Sequence, residues 1–293
     1  MDKPAGLDHE RRDRRRGFPF ALGRRPLIVG VLNVTPDSFS DGGAHLEKEE
    51  AYHRAMEMAD EGADIVDIGG ESTRPGSKPV SAEDEMARIL PVIESLHGKL
   101  PVPMSVDTRR PAVARAALDA GCTMVNDVTA CGDEAMPDVV REFGVPVVLM
   151  HMKGDPETMQ TAPHYDDVVS EVRSFLAARV ERLEERGVRS GLIAVDPGIG
   201  FGKRFRDNLD LIRSIGAIAE LGHPVMVGAS RKRFLGELLK KESNDRLSGS
   251  LAVAAWCFRN HVDMVRVHDV KETAGLFRVM DAIEHPEDYP AAW

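Results

Sequence analysis

The chain has 293 residues, of which 42% are hydrophobic and 29% charged, and its formal net charge at pH 7 is -10. This is the composition of a globular protein, and the length suits either two ordinary domains or one large α/β barrel of about 250 residues. The three cysteines form no CxxC pair, which excludes a disulfide-rich scaffold and a structural zinc motif. They favour a reducing compartment.

The N-terminal segment has neither an anchor nor a signal-peptide pattern. No apolar run approaches the roughly 20 residues of a membrane helix, and residues 1–16 are mostly charged. We therefore expect a cytoplasmic protein with no membrane partner, and the acidic charge argues against a nucleic-acid partner. Five arginines between positions 11 and 16 predict a flexible Arg-rich arm over 1–25, followed by a catalytic domain over 26–293.

From Pro26 onward, short runs rich in Val and Ile alternate with longer segments of helical period. The predicted strands are 27–33, 64–69, 104–107, 124–127, 145–151, 192–196, 225–229 and 264–268. The predicted helices are 47–61, 82–96, 111–120, 134–143, 166–186, 208–220, 246–260 and 271–283. Eight even strand–helix units predict an α/β fold, a single (β/α)8 TIM barrel. The alternative is an open Rossmann-like sheet, but Asn33-Val34-Thr35-Pro36 stands where its glycine fingerprint would follow the first strand.

Nearly every predicted strand ends in polar residues, and in a TIM barrel the carboxyl ends of the strands form the active-site face. In chain order these residues are Asn33; Asp67 with Glu71, Ser72, Thr73 and Arg74; Asp107; Asn126; His151; Asp196; Ser230, Arg231 and Lys232; and Arg266 with His268. A single polar residue after a strand is usually a turn or cap residue. A ring of them predicts a ligand site.

The residue types in this ring indicate the chemistry of the ligand. Three of them supply mainly acceptors, which suit a flat heterocycle with a row of N–H donors, such as a pterin or a guanine: Asp107, Asn126 and Asp196. Four others supply donors and positive charge, which suit phosphate or pyrophosphate: Arg74, Lys232, Arg266 and His268. Two long loops rich in Gly, Pro, Ser and Asp, 33–43 and 69–79, are predicted to act as lids.

Eight motifs, in order from about residue 30 to 270, carry a family resemblance. They are VLNVTPDSFSDGG at 31–43, GGESTRPG at 69–76, SVDT at 105–108, ND at 126–127, MHM at 150–152, DPGIGFGK at 196–203, SRK at 230–232 and RVHDV at 266–270. In these motifs the sequence closely resembles the dihydropteroate synthase family, the pterin-binding transferases of folate biosynthesis. The family fold is also a TIM barrel.

The resemblance implies a reaction, a metal and an assembly. It implies condensation of 6-hydroxymethyl-7,8-dihydropterin pyrophosphate with 4-aminobenzoate to give 7,8-dihydropteroate and pyrophosphate. It also implies a Mg²⁺ cofactor, a homodimer, and sulfonamides that compete as mimics of 4-aminobenzoate. Small molecules are then the only expected ligands besides the second copy of the chain.

The resemblance also implies roles for individual residues. The pterin set is Asp107, Asn126, Asp196 and Lys232, with Met150 and Phe201 lining the ring slot. The pyrophosphate set is Thr73, Arg74, Arg266 and His268, and the 4-aminobenzoate set is Phe39, Pro75, Ser230 and Arg233. Asn33 is the implied magnesium ligand. The expected catalytic residues are Arg74, Lys232, Asp107 and Asp196, which act by electrostatic stabilisation.

Two other functions stay open on the residues alone. A pterin-binding methyltransferase that works with a corrinoid protein would share the barrel and the ring of Asp and Asn residues. It has no anionic leaving group to hold, so the basic residues of the ring favour the synthase. A pterin-binding protein without catalysis would bind the ligand and release no product.

Overall fold

The computed structural model of the chain describes residues 17–35, 44–72, 76–77, 79–155, 157–242 and 245–289. Eight parallel strands follow one another along the chain: β1 Leu27–Asn33, β2 Ile65–Gly69, β3 Met104–Asp107, β4 Met124–Asp127, β5 Val147–Met150, β6 Ile193–Asp196, β7 Met226–Val227 and β8 Met264–Val267. Each strand coincides with a predicted one, and the largest shortenings, in β5 and β7, each remove three residues, from the predicted 145–151 and 225–229.

Helices alternate with these strands. They are α1 Ala44–Glu61, α2 Ala82–Leu96, α3 Pro111–Asp119, α4 Met136–Phe143, α5 Val168–Glu185, α6 Phe205–Arg213, α7 Ile215–Ala219, α8 Arg233–Leu239, α9 Leu247–Arg259 and α10 Val270–Glu284, with 3₁₀ turns at Ser190–Leu192 and Pro286–Asp288. Local sequence sets several of their ends. The Ser81 hydroxyl caps α2 by accepting the Asp84 N–H at 3.0 Å, Asp167 caps α5, and Gly144 ends α4 in the left-handed region at φ 62°.

The strands form one sheet in the order β6-β5-β4-β3-β2-β1-β8-β7, and all pairs are parallel. A parallel bridge between Val195 and Val225 brings β6 to β7, which brings the two ends of the sheet together. This is the predicted (β/α)8 barrel, and the open Rossmann-like alternative is wrong. The main core lies between the strands and the surrounding helices.

The interior of the barrel changes character along its axis. The layer toward the amino ends of the strands, the lower end of the barrel, is apolar. It contains one or two residues from most strands: Leu27, Val29, Ile65, Met124, Val148, Ala194, Met226 and Met264. Because side chains alternate along a strand, the next inward position lies two residues further on. There the strands carry Asp67, Asn126, Met150, Asp196 and Arg266 instead. The fold thus concentrates polar side chains at the carboxyl ends of the strands.

The predicted flexible arm needs a correction for residues 17–25. Phe18 is 6% exposed and closes the lower end of the barrel against the apolar layer, with Phe20 and Leu22 packed beside it. At Gly17 the chain passes so close to Gly191 that a Cβ would lie 2.8 Å from the Gly191 Cα. The apolar residues of this segment are buried because the barrel leaves its lower end open. Residues 1–16 lie outside the described part of the chain.

Two helix predictions also need correction. The predicted helix 208–220 is two helices, α6 and α7, because Ser214 leaves helical geometry at φ -103°, ψ 26°. The helix α8 is not among the predicted helices. In the described ranges, no helix has both the length and the apolar content of a membrane span.

Candidate active site

A cavity of about 610 Å³ opens at the carboxyl ends of the strands. Of the predicted site residues, it is bordered by Asn33, Asp107, Asn126, Met150, Asp196, Phe201, Ser230, Lys232, Arg233, Arg266 and His268. Thr35 and Ser72, at the starts of the two predicted lid loops, also border it. Four predicted residues, Phe39, Thr73, Arg74 and Pro75, lie outside the described residues. The structure therefore brings together the predicted site residues that it describes.

An ion-paired cluster occupies the floor of this cavity. The Arg266 Nε donates to Asp67 Oδ2 at 2.6 Å, and its Nη2 donates to Asp107 Oδ2 at 2.7 Å. The amide of Asn126 also donates to Asp67 Oδ2, at 3.1 Å. Burial raises the pKa of Asp107 to about 7; the Arg266 charge opposes this shift and the Asp67 charge adds to it. One guanidinium on β8 thus holds two carboxylates from the adjacent strands β2 and β3.

The second acceptor group lies on β4 and β6. The Oδ1 atom of Asn126 is buried and has no hydrogen-bond partner among the described residues. Asp196 is 2% exposed, and its Oδ1 accepts the Gly198 N–H at 2.6 Å. Burial raises the pKa of Asp196 to about 6, opposed by the Gly198 N–H and then by the charge of Lys232. A buried acceptor without a donor costs free energy, so Asn126 Oδ1 is set up to accept an N–H group from a ligand.

Apolar side chains form the wall beside these acceptors. Met150 and Phe201 are nearly fully buried and cluster with Val128 and Met159. The Lys232 Nζ lies 3.9 Å from the centroid of the Phe201 ring. Burial lowers the pKa of Lys232 to about 8, and the Arg266 charge acts in the same direction. A flat ring can therefore pack on apolar groups while its edge meets carboxylate, amide and ammonium groups.

The segment after β7 is held in a strained turn that links it to β8. Arg231 adopts a left-handed conformation at φ 57°, and its guanidinium forms an ion pair with Asp269. The Ser250 hydroxyl accepts the Arg231 N–H at 3.0 Å. Ser230 and His268 are joined too, because the Ser230 Oγ accepts the His268 N–H at 3.3 Å and lies 3.2 Å from its Nδ1. The sequence singled out Ser230 and Lys232, but nothing in it indicated that the residue between them fixes the turn.

The electrostatics of His268 differ from the sequence-based picture of a cationic group. Burial, together with the charges of Arg266, Arg231 and Lys232, lowers its pKa to about 3. At neutral pH the imidazole is therefore neutral and can act as a hydrogen-bond donor to an anion. The positive charge at this end of the cavity comes from the arginines and Lys232.

Besides the fully buried Asp67, two described residues of the predicted polar ring do not border the cavity. Glu71 forms ion pairs with Arg109 and Arg110, and Arg110 also contacts the fully buried Glu85. His151 is 6% exposed, and its Nδ1 lies 2.9 Å from the Nζ of Lys203. Both belong to the support around the cavity. No role of Lys203 is predicted from the sequence, where its position at the end of the DPGIGFGK motif is the only available signal.

The residues present allow only a limited metal site. Asn33 ends β1 at the border of the cavity and offers one amide oxygen, a hard ligand suited to Mg²⁺. Among the described residues no cluster of three or more His, Cys, Asp and Glu side chains has the geometry to hold a metal. This donor set fits an ion that takes most of its oxygens from substrate phosphate and water.

Comparison with known proteins gives a consistent result. The family model for pterin binding enzymes matches residues 29–268. The dihydropteroate synthase of Escherichia coli K12 is 43% identical over 257 residues, which cover 88% of this chain and 91% of that protein.

Two solved structures extend the comparison. The Xanthomonas albilineans dihydropteroate synthase with 4-aminobenzoic acid is 46% identical, with a TM-score of 0.84 over 89% of this chain and 93% of its own. The Yersinia pestis dihydropteroate synthase, in a sulfonamide drug complex, is 38% identical, with a TM-score of 0.85 over 91% of this chain and 96% of its own.

Proposed function

The chain belongs to the dihydropteroate synthase family of pterin-binding transferases, and on that premise we propose how its cavity joins 6-hydroxymethyl-7,8-dihydropterin pyrophosphate to 4-aminobenzoate. In this reaction the bond from the pterin methylene carbon to the pyrophosphate oxygen breaks. A bond from the same carbon to the amine nitrogen forms, and that nitrogen loses a proton. The products are 7,8-dihydropteroate and pyrophosphate.

The observation that carries this proposal is the row of acceptors at the bottom of the cavity. The unpartnered Asn126 Oδ1 and the buried Asp196 carboxylate accept the N–H groups of the pterin edge, and Asp107 adds a further carboxylate. Lys232 donates to the acceptor atoms of the ring. Met150 and Phe201 cover its faces. The cationic residues at the other strand ends suit an anionic group. A donor-rich pterin that carries pyrophosphate therefore matches the cavity best.

The pyrophosphate end of the substrate lies near β8. Arg266 uses two of its five N–H groups on Asp67 and Asp107, so it keeps donors for an anion. His268 donates from a neutral imidazole, and the motif residues Thr73 and Arg74 complete this set. Catalysis is electrostatic: these groups stabilise the charge that develops on the departing pyrophosphate, and the carboxylates stabilise positive charge on the pterin ring. No covalent bond to the enzyme forms.

The 4-aminobenzoate lies toward α8 and the two lid loops. Ser230 and Arg233 border the same cavity, and the Arg233 side chain is 74% exposed and pairs with Glu237 at 2.8 Å. Because an exposed ion pair contributes little stability, the Arg233 guanidinium can exchange Glu237 for a ligand carboxylate at the cavity mouth. Phe39 and Pro75, which lie outside the described residues, are the residues that the family resemblance assigns to the benzene ring. Sulfonamides occupy this position in competition with 4-aminobenzoate.

Mg²⁺ is part of the proposal, with Asn33 as its protein ligand. When bound, the ion neutralises part of the pyrophosphate charge. The single amide oxygen at the end of β1 supports this role, since such a site holds the metal only together with the phosphate substrate.

The proposal includes a homodimer located in the cytoplasm. Helix α10 exposes Val279 and Ile283, four residues apart on one face, and the neighbouring α9 exposes Trp256. This apolar surface supports pairing of two copies through these helices. All three cysteines are described, buried and unpaired, which supports a reducing compartment. Light scattering after size-exclusion chromatography measures the mass: a monomer at micromolar concentration contradicts the dimer.

The test of the activity is pyrophosphate release from the dihydropterin pyrophosphate at controlled Mg²⁺, with and without 4-aminobenzoate. We expect release to accelerate with 4-aminobenzoate and dihydropteroate to form in equal amount. A pterin-binding protein without catalysis would bind the pterin and release no pyrophosphate. A corrinoid-dependent methyltransferase would likewise give no dihydropteroate.

A further inference from the structure

Lys203, the last residue of the segment after β6, carries a buried ammonium group. The residue is 2% exposed although Lys is among the residues most rarely buried. Its Nζ lies 2.9 Å from His151 Nδ1, 3.0 Å from the Phe201 carbonyl oxygen and 3.3 Å from the His151 carbonyl oxygen. An ammonium has three N–H donors, and three acceptors surround this one. Lys203 borders the cavity, but its N–H groups are bound by acceptors of the protein.

His151 is suited to accept this hydrogen bond. Its ring packs edge-on against Phe175, with centroids 4.9 Å apart. Burial lowers the pKa of His151 to about 3, and the Lys203 charge adds to this shift, so the imidazole is neutral and its Nδ1 is an acceptor. Burial also lowers the pKa of Lys203 to about 7, opposed by the charge of Asp196.

The contacts of Lys203 join two segments that lie directly against each other. A Cβ on Gly198 would come within 1.9 Å of the His151 carbonyl oxygen, and a Cβ on Gly202 would come within 2.2 Å of the Lys153 carbonyl oxygen. The Tyr165 hydroxyl donates to the Gly202 carbonyl at 2.7 Å. The segment after β6 therefore rests on the segment after β5, and Lys203 binds a carbonyl from each of them.

The segment after β6 carries two parts of the pterin slot, the space in which the proposed pterin ring binds. The Gly198 N–H holds Asp196 Oδ1, and the Phe201 ring lies under the Lys232 ammonium. A shift of this segment would move both the carboxylate that meets the pterin edge and the ring that covers its face. Since Lys203 binds the carbonyl of Phe201 itself, its ammonium acts on the backbone that aims this ring.

We propose that Lys203 is a positioning residue for the pterin slot, which acts through the backbone of Phe201 and the Gly198 N–H rather than by contact with the reacting atoms. The inference rests on the proposed function, because it assigns a role within the pterin site. The inference adds to the proposed function that the buried Lys203 ammonium fixes the position of the segment after β6, which carries part of the pterin slot.

The experiment compares Lys203→Met, which removes the charge and all donors, with Lys203→Gln, which keeps an N–H₂ donor. Calorimetry with 6-hydroxymethylpterin measures affinity, and steady-state kinetics give kcat and the KM values for both substrates. We expect Lys203→Met to weaken pterin affinity and raise the KM for the pterin substrate by about tenfold or more, with the KM for 4-aminobenzoate changed less than about twofold. Lys203→Gln should recover part of the loss.

Lys241→Met is the matched control. Lys241 follows α8, its side chain is 47% exposed and it pairs with Asp245, so this variant removes the same charge at a position that does not border the cavity. We expect its pterin affinity to stay within about twofold of the parent enzyme. A loss equal to that of Lys203→Met would overturn the proposal, because it would assign the effect to net charge alone.

A double-mutant cycle with Phe201→Leu separates positioning from general stability. If Lys203 acts through Phe201, its substitution costs several-fold less pterin affinity in the Phe201→Leu background than in the parent. Additive losses overturn the proposal, and so do equal losses for pterin and 4-aminobenzoate. Should Lys203→Met not fold, Lys203→Gln takes its place in the same cycle. Failure of the parent enzyme to bind pterin would instead contradict the proposed function.

Discussion

Three charged side chains on the cavity floor offset the free-energy cost of burial by pairing with one another. Asp67 and Asp107 share the guanidinium of Arg266, which offers geometrically separate N–H groups to each. Without that cation, two buried carboxylates would face each other, and breaking such a pair commonly costs about 3 kcal/mol or more. Arg266 thus has a structural partner set in addition to its place in the proposed pyrophosphate site.

The first prediction concerns Asp196→Asn. The substitution replaces a carboxylate oxygen with an N–H₂ group, which places a donor against the N–H groups of the pterin edge in a buried site. We expect pterin affinity to fall by about 2 kcal/mol, or about 30-fold, with little change in 4-aminobenzoate recognition. Calorimetry with 6-hydroxymethylpterin checks this. Unchanged pterin affinity would show that Asp196 does not bind the ring.

A second prediction follows from the pKa of Asp196, which burial raises to about 6 from an ordinary value of 3.8. Between these values the folded enzyme keeps a proton that the unfolded chain has lost. Stability without ligand should therefore fall as pH rises from 4 to 6, by up to about 3 kcal/mol from this group.

Urea unfolding of the parent enzyme and of Asp196→Asn at several pH values isolates this contribution. The stability of the parent relative to the variant should decrease as pH rises through this window, because the variant has no titrating group at position 196. His151 and His268, whose pKa values are lowered, act in the opposite direction in both proteins and cancel in the difference. A pH-independent difference contradicts the prediction.

At the scale of elements, the segment after β6 depends on a glycine. Gly198 has a φ of 67°, and a Cβ there would lie 1.9 Å from the His151 carbonyl oxygen. We expect Gly198→Ala to destabilise the protein by at least about 2 kcal/mol and to weaken pterin binding, because it strains the backbone and pushes two segments apart.

Gly216→Ala in α7 provides the control. Nothing lies within 4 Å of a Cβ at that position, and the residue is helical. This variant should be neutral or stabilised by up to about 1 kcal/mol. Thermal unfolding of the two variants measures the contrast, and equal effects would show that the contact at Gly198 relaxes without cost.

The two lid loops support a prediction of binding order. Their described ends lie beside the cavity, where the Val34 N–H donates to the Gly69 carbonyl at 2.8 Å. Closing any two loops over a ligand costs conformational entropy, which pyrophosphate and Mg²⁺ can offset through Asn33 and the Thr73–Arg74 motif. We expect 4-aminobenzoate to bind only after these ligands. Phe39→Leu should then alter 4-aminobenzoate and sulfonamide affinity and leave the first substrate nearly unaffected.

Calorimetric titration of 4-aminobenzoate tests this order. One titration uses the free enzyme, and the other uses enzyme preloaded with 6-hydroxymethylpterin, pyrophosphate and Mg²⁺. Binding should be detected in the second only. Equal affinity in the two titrations would exclude an ordered site.

At the scale of the whole molecule, the two ends of the barrel differ in role: the apolar lower end stabilises the fold, and the cavity lies at the opposite end. Phe18 closes the lower end, opposite the cavity. Phe18→Ala should reduce the free energy of unfolding by about 3 kcal/mol and leave both KM values unchanged, because the cavity it creates lies among apolar side chains only. Urea unfolding and kinetics check this prediction, with the exposed Arg24→Ala as control. A change in KM would show that the two ends are coupled.

The sequence by itself determined the eight strand–helix units, because the period of the hydrophobic residues and the residues that begin and end each element are local properties of the chain. It also determined which strand ends carry polar residues. The residue types of Asp107, Asn126 and Asp196 indicated a ligand that offers N–H donors, such as a pterin or a guanine, and the family resemblance of the motifs implied the pterin.

Only the tertiary structure decided how these residues are paired. Asp67 and Arg266 are 199 positions apart, and their ion pair exists because β2 and β8 both flank β1 in a closed sheet. The burial of Phe18 and of the Lys203 ammonium likewise depends on segments distant in the chain. Contacts of this kind are set by how the barrel closes, and burial then decides the pKa of each carboxylate and imidazole, so no local pattern contains them.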